Sequence, residues 1–169
     1  MRQKRFVFAC VALVAAVALI GCGGGKGGGT EAAKPAEPAG PTPAEKGQAV
    51  GQEIIAAFDG LVAETVRLIN ENPNADVVMP QLQAMVQNAE PKMAELNARL
   101  LALRGEDVES FGAANSYIQD QRPKSVHEKD VAFAPFLMDY PGEDPNGEVK
   151  EFLSGKELIR LLDLASATS

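Results

Sequence analysis

The chain has no tryptophan, one histidine and two cysteines among its 169 residues, and only 5% of it is aromatic. Both cysteines, Cys10 and Cys22, fall at the extreme N-terminus. No disulfide can therefore staple the rest, and the fold must stand on its hydrophobic core alone. With His127 the only imidazole and no thiol in the body, a Cys/His or Ser/His/Asp centre has too few parts. No G-x-S-x-G, H-E-x-x-H, P-loop or dinucleotide fingerprint occurs, so catalysis is not expected. Basic residues are also scarce. Without Arg2, Lys4 and Arg5 of the first 21 residues, 13 cations face 23 acids, a net charge of −10. A body this acidic repels nucleic acid and anionic lipid head groups. What is present is Ala, Leu and Val, within an apolar content of 46%. That is the palette of helical bundles.

Residues 1–22 have their own logic. Met1-Arg2-Gln3-Lys4-Arg5 is basic, and Phe6 to Ile20 is an uncharged apolar run. At 15 residues the run is short for a membrane span, which needs about 20, and suits the core of a signal peptide. It closes on Leu19-Ile20-Gly21-Cys22, which resembles the lipobox of bacterial lipoproteins. The resemblance implies a diacylglyceryl group on the Cys22 thiol, cleavage between Gly21 and Cys22, and acylation of the freed amine. Two or three acyl chains, palmitate among them, anchor stably where one is marginal. Gly23 follows the cysteine where inner-membrane lipoproteins tend to carry Asp, so the family pattern favours the outer membrane, facing the periplasm.

Residues 22–43 form a tether. The Gly23–Gly29 segment is glycine apart from Lys26, and it is followed by a Pro/Ala-rich run from Pro35 to Pro43. Glycine is costly to order and Pro/Ala prefers extended geometry, so the segment is expected to be disordered. It should average about 25–30 Å end to end. No peptidoglycan-binding motif is visible in it.

From Ala44 the pattern becomes helical, and residues 44–169 read as one domain. Val50, Ile54, Phe58, Leu61, Thr65 and Leu68 recur at intervals of four and three, one face of an amphipathic helix. Asn70-Glu71-Asn72-Pro73-Asn74 should turn the chain. A second helix should start at Asp76 as N-cap and run to Arg104-Gly105 along Val78, Leu82, Met85, Ala89, Met93, Leu96, Leu100 and Leu103. Pro91 should kink or split it. A shorter helix is expected over Glu106–Gln121, ended by Pro123, and a last one over Glu148–Ser166, weakest at Ser154-Gly155. The expected fold is all-α: a long antiparallel hairpin extended to a three- or four-helix bundle.

The least routine stretch is Val131 to Tyr140, with Phe133, Phe136 and Tyr140 beside Leu137 and Met138. One reading is a loop or short helix plugging the bundle end. The other is a contact surface made by Phe133, Phe136, Leu137, Met138 and Tyr140 for another envelope protein. Two cofactor readings are set aside. Haem between His127 and one of Met79, Met85, Met93 or Met138 has no C-x-x-C-H, and core packing explains the helix-two methionines. Calcium at Asp139, Glu143, Asp144, Asn146 and Glu148 fits neither EF-hand frame, because position six is Val149 or Asp144 and position twelve Gly155 or Lys150. No cofactor or metal is expected. The expected role is a membrane-anchored, non-enzymatic structural or interaction protein of the cell envelope. The alternative is a carrier or sensor holding a small ligand in the bundle.

Overall fold

The computed structural model describes residues 40–167. The lipobox, Gly21, Cys22 and the tether up to residue 39 lie outside the described residues. Among those described there are five helices and no strand: α1 (Pro43–Glu71), α2 (Ala75–Glu106), α3 (Val108–Met138), α4 (Glu148–Ser154) and α5 (Glu157–Ser166). The fold is an all-α bundle of four helices, the fourth broken into α4 and α5.

Local chemistry sets the boundaries. Thr42 and Glu45 form a reciprocal capping box at the start of α1, with Pro43 in the first turn. Asn74, not Asp76, caps α2: its Oδ1 accepts from the Asp76 N–H at 2.9 Å. Asp76 sits inside the first turn, where its charge suits the helix dipole. A single residue, Asp107, ends α2 and begins α3. Its N–H donates to the Leu103 carbonyl at 2.7 Å, and its Oδ1 accepts from the Glu109 and Ser110 N–H groups at 3.1 and 3.2 Å. The last helix breaks where the sequence is weakest, with Gly155 capping α4.

Two expectations about proline and one about the stretch after it are corrected. Pro91 does not split α2, Pro123 does not end α3, and residues 131–138 are the final turns of α3 instead of a separate plug. A proline within a helix frees the carbonyl four residues earlier. Here Pro80, Pro91, Pro123 and Pro135 are all exposed, and so are Asp76, Gln87, Gln119 and Val131, whose carbonyls they free. Water can satisfy those carbonyls, while the buried face on the other side holds the helix together. On α3 that face comprises Ala114, Ile118, Ser125, Lys129, Phe133 and Phe136, spanning Pro123.

The hairpin of α1 and α2 forms, but the most extensive packing is between α1 and α3, which run parallel. Gly47 meets Ser110 and Gly51 meets Ala114 and Tyr117. Further along, Val62 and Val66 share a groove with Ser125 and Lys129, at the same offset along the chain. The glycines explain the closeness. A Cβ on Gly47 would lie 1.9 Å from the Ser110 carbonyl oxygen, and one on Gly51 would lie 3.0 Å from that of Ala114. Two glycines one turn apart allow the backbones to approach, as small-residue pairs do wherever helices pack tightly.

α4 and α5 run parallel to α2 and antiparallel to α3. Arg160 of α5 pairs with Glu90 of α2, and Arg122 of α3 with Asp163 of α5. Arg99 of α2 pairs with Glu53 of α1. These exposed pairs fix orientation more than stability, at about 0–1 kcal/mol each. The core holds Ile54, Phe58, Leu82, Met93, Leu100, Phe133, Leu153 and Leu161, all under 3% exposed. The segment between α3 and α4 crosses the α1–α2 turn, where the Glu143 carbonyl accepts from the Ala75 N–H at 2.9 Å.

Candidate functional site

The aromatic stretch at the end of α3 divides by helical geometry. Phe133 and Phe136 point into the core, 2% and 8% exposed. Their place in a contact surface is thereby corrected: they are three apart on the face that packs against the bundle, and no partner can reach them there. Leu137 and Tyr140 are half-buried and pack against that core. Burial also raises the pKa of the Tyr140 phenol, reinforced by the nearby Asp144 carboxylate. Its hydroxyl oxygen is buried without a hydrogen-bond partner. Met138 alone of the five faces solvent, at 84% exposure, and Val131, two turns earlier, is 59% exposed. With exposed Pro135 between them, they form a short apolar strip on the last turns of α3.

The acidic turn after α3 has a structural occupation. Both carboxylate oxygens of Asp144 accept from the first turn of α4, from the Val149 N–H at 3.3 Å and the Lys150 N–H at 3.2 Å. Gly147, at φ 71°, makes the left-handed bend that brings them round. Among the described residues no cluster of three or more His, Cys, Asp and Glu side chains is placed to hold a metal ion. Met93 is buried, Met79 and Met85 pack against the core, and His127 is exposed on α3.

A second locus was not singled out from sequence. Between α1 and α3 lies a groove of about 370 Å³, lined by Asp59, Val62 and Val66 on α1 and by Ser125, Glu128 and Lys129 on α3, with Ala63 and Ala132 completing the walls. Ser125 and Lys129 are 4% and 5% exposed, the only buried polar residues described besides Thr65 and Ser110. Those other two are satisfied. The Thr65 hydroxyl donates to the Leu61 carbonyl at 2.8 Å, and that of Ser110 has the Pro43 carbonyl at 2.8 Å and Asp107 Oδ2 at 2.6 Å within reach. The Lys129 ammonium lies 3.0 Å from Asp130 Oδ1 and 5.6 Å from the centre of the Phe133 ring. The signal for this locus was the spacing of four between Ser125 and Lys129, continuing to Phe133. It was hidden because Pro123 appeared to end the helix before it.

No protein-family model matches this chain, and neither a curated protein nor a solved structure matches it. Among the described residues no helix is long and apolar enough to cross a membrane.

Proposed function

We propose that the protein is a lipid-anchored component of a bacterial cell envelope with a non-enzymatic structural or interaction role, held on a membrane by acyl chains on Cys22. The observation that carries this reading is the order of features in residues 1–22: basic start, 15 uncharged apolar residues, then Leu19-Ile20-Gly21-Cys22. Gly23 favours the outer membrane, and the tether gives the bundle room above the head groups.

The bundle suits presentation more than chemistry. Its tether enters at the N-terminus of α1, and α3 runs parallel to α1 for 31 residues, about 45 Å. The Val131, Pro135 and Met138 strip therefore lies at the end of the bundle opposite the N-terminus of α1. Exposed Asp130 and Asp139 beside it would favour a partner with basic residues around an apolar contact.

Metabolic labelling with radioactive palmitate tests the anchor. The full chain should label and fractionate with outer membranes, while Cys22→Ser should lose the label and accumulate at precursor size. An unlabelled wild-type chain, or a Cys22→Ser variant that still labels, refutes it. A photo-crosslinker at Met138 tests the α3 strip. A specific adduct that Val131→Asp abolishes supports a partner there, and no adduct in correctly localised protein removes the strip from consideration.

A further inference from the structure

We infer that the α1–α3 groove is a binding site for a short aliphatic zwitterion, a peptide of two or three residues with both termini free. Ser125 first marks the groove as more than a packing defect. The residue is only 4% exposed and its hydroxyl makes no hydrogen bond with any described residue, yet that oxygen is not sealed off: it opens onto the groove. The helix offers such a side chain an easy solution: Ser154 and Ser166 turn back onto the Lys150 and Leu162 carbonyls at 2.8 and 2.7 Å. Ser125 does not take it, and its hydroxyl stays available to whatever occupies the groove. Lys129, one turn on, holds a buried cation whose one close carboxylate belongs to its exposed neighbour Asp130. An ammonium has three donors, and Asp130 meets one. A single ligand oxygen in the groove can accept from both groups, which stand one turn apart on α3.

Charge selects the class of ligand. The groove and its edge carry one cation, Lys129, and three carboxylates, Asp59, Glu128 and Asp130. A simple anion would meet net repulsion. A zwitterion is complementary, with its carboxylate toward Ser125 and Lys129 and its ammonium toward Asp59 and Glu128. Val62, Val66, Ala63 and Ala132 give it an aliphatic wall with no aromatic face. Size agrees as well. The groove's 370 Å³ is at the small end of ligand sites. From Asp59 to Val66 it runs two helical turns, about 10 Å, the reach of roughly three extended residues. The inference does not depend on the lipid anchor.

The test uses the full chain in detergent micelles, titrated with the tripeptide Ala-Leu-Ala, its N-acetyl form and its C-terminal amide, and followed by backbone amide NMR and calorimetry. The expected result is saturable binding with shifts centred on Val62, Val66, Ser125 and Lys129. Blocking either terminus should weaken binding roughly tenfold or more, the scale of one lost charge-assisted contact. Lys129→Met, which keeps the aliphatic stem, should abolish the preference for the free carboxylate. Equal binding of blocked and free peptides, shifts elsewhere on the bundle, or no binding at concentrations on the order of 10 mM overturns the proposal. Because the blocked peptides need no altered protein, a variant that fails to fold leaves the test intact.

Discussion

A Cβ on Gly47 would reach to 1.9 Å from a backbone oxygen of α3, whereas one on Gly60, in the same helix, would meet nothing within 4 Å. The two glycines should therefore answer the same substitution with opposite signs. Gly47→Ala must push the helices apart and is expected to cost about 2–3 kcal/mol or more. Gly60→Ala gains helix propensity and should stabilise by up to about 1 kcal/mol. Urea denaturation of both variants checks the pair, and a Gly47→Ala protein as stable as wild type would contradict the close seam. Asp107 gives a pH prediction. The Ser110 hydroxyl, then the Ser110 and Glu109 N–H groups, hold its carboxyl below the ordinary aspartate value. A depressed folded-state pKa contributes stability that is present above the unfolded value of about 4 and is lost as pH falls through the folded one. Acid titration of the melting temperature should show this loss, and Asp107→Asn, which keeps a capping oxygen, should flatten it.

Helix α3 shows what sequence patterning reveals and what it hides. α1 and α2 were legible because their inward positions are almost all apolar, from Val50 to Ile69 and from Val78 to Leu100. The buried face of α3 repeats just as regularly, through Ser110, Ala114, Ile118, Ser125, Lys129, Phe133 and Phe136. Three of those seven are polar, so the apolar period is diluted, and the two prolines on the far face then suggest a break. The candidate groove was missed for the same reason. Its two buried polar members, Ser125 and Lys129, fell in the polar stretch around His127 beyond the expected helix end at Pro123. The Gly47-x-x-x-Gly51 spacing was also on view, but glycine inside a helix usually signals weakness, and only the opposing backbone shows its purpose. If the prolines of α3 are tolerated instead of required, Pro123→Ala should restore a donor to the Gln119 carbonyl. It should raise stability by about 1–3 kcal/mol, measured in thermal melts. A loss would mean that the bundle needs the local distortion.

At the scale of the molecule, α4 and α5 close the bundle along only part of its length. Val149, Leu153, Leu158, Leu161, Leu162 and Ala165 are all buried against the longer helices. A chain ending at Met138 would expose their counterparts on α1, α2 and α3. Each leucine lost removes about 1.5–3 kcal/mol of burial, in sum comparable with the whole stability of an ordinary domain. Such a truncation should lose its cooperative melt, seen by circular dichroism.

The constant offset between α1 and α3 has a consequence for how this protein can change over generations. Because the two helices lie parallel and in register from Gly47 against Ser110 to Val66 beside Lys129, neither can change length alone. One residue inserted in α1 would rotate everything after it by about 100° and slide it about 1.5 Å, turning Val62 and Val66 away from the seam. Two coding stretches separated by the whole of α2 are thus obliged to gain or lose residues together.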